Sequence, residues 1–257
     1  MMRASCGLTK WCLNAAAFRR SLPQPEHAHV IVLTDDEAFA REECGSTMPR
    51  ILGFDAILSQ AIRAWAKRTG RRRSDVNLAD ARFAAATLRK WQLVSLIEYR
   101  VIFVSDQDVD IFFDHGPPPG RAPLSWARGY ADFVQSSAQL LGAADAQIPV
   151  NTGVMLLKPS LRAYEMGLLA LLTRRFSAMR GWNATGSPIA LLRRDAQLRF
   201  AETKLVKENT WDVVCGNADQ GLFTYVFLAK LDAYATSRYS LRSKVASQPG
   251  TPGTRQV

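Results

Sequence analysis

At 257 residues the chain is long enough for one large α/β domain or two small ones, with a sizeable core in either case. Hydrophobic residues make up 47%, charged residues 22% and aromatics 9%, an ordinary globular composition, and no stretch approaches the ~20 apolar residues of a membrane span, so no spanning segment is expected. The net charge of +10 and pI of about 9.8 suit an anionic partner (nucleic acid, a phosphorylated ligand or an acidic membrane surface), but the dense run KRTGRRRS, Lys67 to Ser74, reads as a solvated loop and no nucleic-acid partner is expected.

The first 25 residues carry Arg3, Lys10, Arg19 and Arg20 and no acid, a composition shared by organellar transit peptides, with a segment of the fold itself as the alternative. HVIVLT, His29 to Thr34, predicts a short strand. Asp35, Asp36 and Glu37 behind it suit the first turn of a helix, where the dipole favours negative charge. GFDAILS, Gly53 to Ser59, predicts a second strand. Residues 75 to 98 are rich in alanine and leucine; Ala84, Leu88 and Trp91 keep helical spacing, and Ser74 or Asp75 is the expected cap. VIFVS, Val101 to Ser105, is a continuous apolar strand of the kind common in parallel sheets covered on both faces. GPPPGRAP, Gly116 to Pro123, is a loop. IPVNTGVMLLKPS, Ile148 to Ser160, predicts a strand, followed by a helix from about Leu161 to Phe176, and residues 218 to 230 are helical again.

Strands alternating with helices predict a single α/β domain over residues 1–239, and from Ser240 the small, polar, Pro/Gly-rich sequence predicts a disordered tail, 240–257. Cys6, Cys12, Cys44 and Cys215 show no CxxC spacing, so neither a zinc site nor a disulfide framework is expected; they read as reduced thiols of an intracellular protein. Asn183-Ala184-Thr185 is a glycosylation sequon that matters only if the chain is secreted. A soluble, cytoplasmic protein is favoured, with a Golgi protein as the alternative if the N-terminus is incomplete. The oligomeric state is not legible.

The chemically pointed stretch is YRVIFVSDQDVDIFF, residues 99 to 113, in which an apolar strand ends in Asp106, Asp108 and Asp110. Ligands of open α/β sheets sit beyond the carboxyl ends of the strands. Two acids at i, i+2 there can converge on one hard cation, Mg²⁺ or Mn²⁺, which takes oxygen ligands and bridges to phosphates; without a cation, or a Lys or Arg, they repel one another. A capped turn or a solvated strand end would need no cation. A haloacid-dehalogenase-like phosphatase has a related motif, D-x-D-x-T or V, but its last position here is Asp110 and the motif lies in mid-chain.

Further segments bear on this. Asn151-Thr152-Gly153 opens an apolar strand closed by Lys158-Pro159; Asp219-Gln220-Gly221 opens a helix; and Lys90 lies upstream of Asp106 in an apolar helical stretch. In this order the motifs resemble glycosyltransferase family 8, the glycogenin and galactinol-synthase group, over roughly residues 8 to 230. The resemblance implies a Rossmann-like nucleotide-diphospho-sugar transferase domain of the GT-A type with a mainly parallel central sheet flanked by helices. It implies a retaining hexosyltransferase that takes a UDP-hexose and passes the sugar to a glycan, protein or small-molecule acceptor that the sequence does not name. It implies Mn²⁺, or Mg²⁺, held by Asp106 and Asp108. Asp106 would also face the ribose, and Lys90 the donor sugar or its phosphates; Asn151 would bond sugar hydroxyls, Gly153 would admit the backbone closely, and Asp219 and Gln220 would meet the sugar near its anomeric carbon. Leu8 and Thr9 would be remnants of the family's first strand, with Thr9 at the donor. Each residue has a plainer reading: Lys90 as a surface lysine, Asn151 and Gly153 as a turn, Asp219 as a helix cap. The family's third metal ligand, a histidine in a C-terminal segment that also carries a diphosphate-binding lysine, has no counterpart here, since His27, His29 and His115 all precede Asp219. A catalytically impaired relative that binds a nucleotide-sugar or a partner is therefore the second expectation.

Overall fold

The computed structural model describes residues 5–21, 25–47, 49–69, 78–106, 124–182 and 186–236. Outside them lie Asp108, Asp110, His115, the expected cap at Ser74 or Asp75, the loop 116–123, the sequon and the tail 240–257.

The chain is mixed α/β. Helix α1 (Ser5–Ser21) is followed by strand β1 (Ile31–Leu33), helix α2 (Glu37–Cys44) and strand β2 (Arg50–Leu52). β1 and β2 pair in parallel as a sheet of their own. A helix opens behind β1 as expected, with Glu37 in its first turn, while Asp36 stands one place earlier as its cap, its side chain accepting from Phe39 N at 2.9 Å. Leu8 and Thr9 lie within α1, so they are not remnants of a strand; the Thr9 hydroxyl donates to Glu43 on α2. A small core of Cys12, Val32, Ala40 and Cys44 joins α1 to this unit. Cys12 and Cys44 are joined in a disulfide with Cα atoms 5.5 Å apart, which overturns the expectation of reduced thiols for this pair. Their separation of 32 residues gave no short-spacing signal; packing of α1 on α2 brings them together.

The predicted strand at Gly53–Ser59 is in fact the start of helix α3 (Ala56–Arg68). Asp55 caps it by accepting from Leu58 N at 2.7 Å, and Leu58, Ala61, Ile62 and Trp65 form its buried stripe at helical spacing. The short apolar run Ala56-Ile57-Leu58 looked strand-like only because the stripe was read too locally. The helix expected over 75–98 appears as α4 (Ala81–Thr87), capped by Asp80, running on as a tighter 3₁₀ segment from Leu88 to Ser95. Ala84, Leu88 and Trp91 all face the core as their spacing implied.

The main sheet has the order β3 (Ile102–Ser105), β5 (Asn151–Leu157), β4 (Leu140–Ala143), β6 (Tyr234–Thr236). β5 runs antiparallel to both β3 and β4, and only β4 and β6 are parallel. Among the described residues the main sheet is therefore mostly antiparallel, not the mainly parallel one expected. The apolar run of β3 did report cover on both faces: Ile102 and Val104 enter the main core, while the partly buried Val101 and Phe103 pack on Phe133, Ala138 and Leu156. Two-faced burial says nothing of strand direction, which is where the inference failed. Phe133 belongs to α5 (Leu124–Gln135), which precedes β4.

Helix α6 (Leu161–Thr173) follows β5, capped by Ser160, and packs on α3 and the 3₁₀ segment. Gly167 lets it approach Trp91, since a Cβ there would lie 2.2 Å from the indole. Three short helices, α7 (Pro188–Leu191), α8 (Arg194–Arg199) and α9 (Lys204–Lys207), lead to α10 (Asp219–Phe223), which widens into a π-helical stretch, Thr224–Lys230. No helix among the described residues is long and apolar enough to cross a membrane.

Candidate functional site

Antiparallel pairing of β3 with β5 puts the carboxyl end of one beside the amino end of the other. The ladder continues one step past β3, where Asp106 N donates to the Gly153 carbonyl at 2.9 Å. The segments containing Asp106 and Asn151-Thr152-Gly153 therefore share one sheet edge. The start of α10 and the 3₁₀ segment both pack at this edge.

Lys90 projects from the 3₁₀ segment between two carboxylates. Its Nζ lies 2.6 and 2.7 Å from the two oxygens of Asp106 and 2.9 Å from Asp219 Oδ2. The lysine side chain is 18% exposed and Asp219 only 2%, so this is a largely desolvated triad, not a surface ion pair. Burial alone would lower the Lys90 pKa, but attraction to Asp219 and Asp106 prevails and raises it above 10.5. The ammonium is thus held through the neutral range. Its contribution to stability is complete below the ordinary lysine value and lost only as pH rises through the higher folded one.

Asp219 has a second support. The Thr152 hydroxyl, 1% exposed, donates to its Oδ2 at 2.6 Å. Thr152 is the middle residue of Asn151-Thr152-Gly153; strand alternation turns it opposite to its neighbours, toward α10, a consequence of period two that the motif reading passed over. Replacing Thr152 by valine keeps the shape and removes the donor. Chemical denaturation should then show a loss of about 1–3 kcal/mol, with Thr152→Ser restoring most of it.

Asn151 serves its own turn, Oδ1 accepting from Gly153 N at 2.8 Å, while Nδ2 reaches Asp145 Oδ2 at 3.5 Å. Its plainer turn reading is realised, with the amide hydrogens directed to Asp145. Gln220 follows Asp219, and its Oε1 is buried without a hydrogen-bond partner among the described residues. Asp219 is not the cap of α10: it is the first helical residue behind Ala218, and no side-chain cap bond is made there. Thr9 stands apart from this constellation by its partner, Glu43.

No protein-family model, curated protein or solved structure matches the chain. The chemistry available at the sheet edge therefore follows from its own geometry.

Cys215, which motif reading also passed over, belongs to the same neighbourhood. Burial, reinforced by Asp219, pushes its thiol up to about 11. It sits at φ 56°, a left-handed conformation unusual for a residue with a side chain. From the ordinary 9.0 to about 11, the thiolate fraction near neutral pH falls about 100-fold. Iodoacetamide should label Cys215 at least about 100-fold more slowly in the native chain than in urea, as read by peptide mass mapping.

Among the described residues no group of three His, Cys, Asp or Glu could hold a metal ion. Asp106, 32% exposed and carrying hard oxygens, suits Mn²⁺ or Mg²⁺ in kind. Its expected partner Asp108 lies outside the described residues. His29 is engaged elsewhere, Nδ1 lying 3.0 Å from the Tyr99 hydroxyl beside Arg50.

Proposed function

We propose that the chain binds a UDP-hexose at the carboxyl end of β3 and transfers the hexose, with retention, to an acceptor. The observation that carries this reading is the Lys90 triad: one ammonium held between Asp106 and Asp219, residues far apart in sequence that belong to the D-x-D and D-Q-G segments. Asp106 and Asp108 would hold Mn²⁺ or Mg²⁺, and such an ion would supply charge neutralisation to the departing diphosphate.

The chain's own residues do the rest. Lys90 fixes the position of both carboxylates and sets a positive charge against them. Asp219, oriented by Thr152 and Lys90, presents a carboxylate whose negative charge favours an oxocarbenium-like transition state over the neutral sugar. Gln220 Oε1 has no donor among the described residues and so suits a sugar hydroxyl. Burial of the triad keeps these charges poorly screened, which strengthens their action on a bound donor.

A second reading is a nucleotide-sugar or partner-binding module without turnover. It is favoured by the way Lys90 already occupies both oxygens of Asp106. Calorimetric titration of UDP, with and without Mn²⁺, on the wild-type chain and on Asp108→Ala tests both. The transferase reading expects saturable binding that needs Mn²⁺ and is lost in the variant, and release of UDP from UDP-glucose or UDP-galactose. Binding without release points to the module. No binding by the folded protein sinks both, and hydrolysis of a generic phosphoester without any sugar nucleotide would revive the phosphatase.

A further inference from the structure

We propose that the surface where α3 and α6 end together is a docking face for an anionic phospholipid bilayer. This inference is independent of the transferase reading. The two helices lie side by side and finish at the same place: Arg68, in the last turn of α3, donates to the Leu171 carbonyl of α6, and Phe176 N donates to Thr69 Oγ1 at 3.3 Å. The chain after α6 is also held in shape. Ser177 and Gly181 exchange backbone hydrogen bonds, Trp211 N donates to the Ala178 carbonyl at 2.8 Å, and Trp182 stacks on Trp65 of α3 with ring centroids 5.6 Å apart. The surface is therefore preformed.

Its charge is one-sided. Lys67, Arg175 and Arg180 are exposed and Arg174 half-buried, and none of them makes an ion pair with a described residue. No Asp or Glu occurs from Ala56 through Thr69 or from Met166 through Trp182, and Glu165 is the single acid of α6. The negative ends of two helix dipoles draw these cations in but are too small to neutralise them.

Along α6 and just beyond it stand exposed apolar side chains: Leu169, Leu172 and Met179 are 56%, 43% and 70% exposed. Cations alone would fit any polyanion, nucleic acid included. Aliphatic groups set among arginines fit an interface where phosphates and hydrocarbon lie together, which is the headgroup region of a bilayer. Neither signal is strong alone, and stable attachment needs both.

Co-sedimentation of the full chain with phosphatidylcholine vesicles, with and without phosphatidylglycerol, tests this. Binding should require phosphatidylglycerol and weaken with salt. Arg174→Glu/Arg175→Glu should weaken it at least about tenfold, and so should Leu172→Ser/Met179→Ser, which leaves the charge unchanged. Arg20→Glu/Arg194→Glu, a charge-matched change at exposed arginines elsewhere, should leave it within about twofold. Thermal melts of each variant confirm that it is folded. The proposal is overturned by absence of phosphatidylglycerol-dependent binding, or by equal loss in the charge-matched variant. It is also overturned if Leu172→Ser/Met179→Ser binds as the wild type does while single-stranded nucleic acid is held through Arg174 and Arg175.

Discussion

Replacing Lys90 by methionine should destabilise the fold by about 3–5 kcal/mol near neutral pH. Methionine preserves most of the side chain's length and apolar stem, so the loss isolates the charge. Without it, the Asp219 carboxylate, 2% exposed, faces Asp106 with the Thr152 hydroxyl as its remaining side-chain support among the described residues. An uncompensated buried charge is the expensive case; replacing a whole buried pair is often close to neutral. Lys90→Met/Asp219→Asn should therefore recover more than half of the lost stability, although it removes more polar groups than the single variant. Urea denaturation of the wild type and the two variants near neutral pH measures both effects. If the transferase reading holds, UDP binding vanishes in both variants, so stability and binding separate in the double variant. A single variant as stable as wild type would mean that Lys90 is a solvated surface lysine and that the triad does not exist.

That triad was legible because its members are chemically conspicuous and stand at the boundaries of apolar runs. Asp106 ends β3, Asp219 begins α10, and Lys90 interrupts an otherwise apolar face. What linked them in the sequence was motif order, and the structure places the corresponding side chains within hydrogen-bonding distance. Thr152 was less legible. A hydroxyl within an apolar strand is usually a bystander, and its role depends on which side of β5 receives α10, a tertiary fact. The resemblance assigns Asn151 to sugar hydroxyls, and the turn it closes on Gly153 is the plainer role its type also suggests.

The fold was legible where local chemistry decides and obscure where long-range packing does. Asp35, Asp36 and Glu37 announce α2 by their negative charge at a helix start, and the period of Ala84, Leu88 and Trp91 marks the buried face of α4 and of the 3₁₀ segment behind it. Strand direction in the main sheet depends on how β4, β5 and β6 return, and β4 and β6 are too short to be read from pattern. α3 was misread because its first turn is apolar throughout, while the deciding residue, Trp65, lies further along. The Cys12–Cys44 bond was invisible for the same reason as strand order: it joins two helices whose packing no local spacing reports.

Gly221→Ala should be worse still, at about 4 kcal/mol or more, enough to leave little folded protein. A Cβ on Gly221 would lie 1.7 Å from the Gly216 carbonyl oxygen and 2.9 Å from Trp182 Nε1. The first is a backbone atom, so no rotamer change relieves the clash. Retreat of the loop is blocked from several sides. The Gly216 carbonyl accepts from Trp182 Nε1 at 2.9 Å, and Gly221 N donates to the Cys215 carbonyl at 3.1 Å. Asn217 clamps Ala79 with both halves of its amide, at 3.0 and 2.8 Å. Cys215 already holds a left-handed backbone conformation and has little freedom left. The alanine would therefore have to displace α10, carrying Asp219 away from Lys90 and Thr152. Gly186→Ala is the matched control, because its Cβ would meet Ala190 and Leu191 at 3.5 and 3.6 Å, ordinary contact; it should change stability by no more than about 1 kcal/mol. Thermal melts and soluble yield of the two variants decide the matter. A Gly221→Ala protein that melts with the wild type would mean that residues 215–221 are not packed under Trp182. The position of Asp219, on which the whole site depends, would then have to be drawn again.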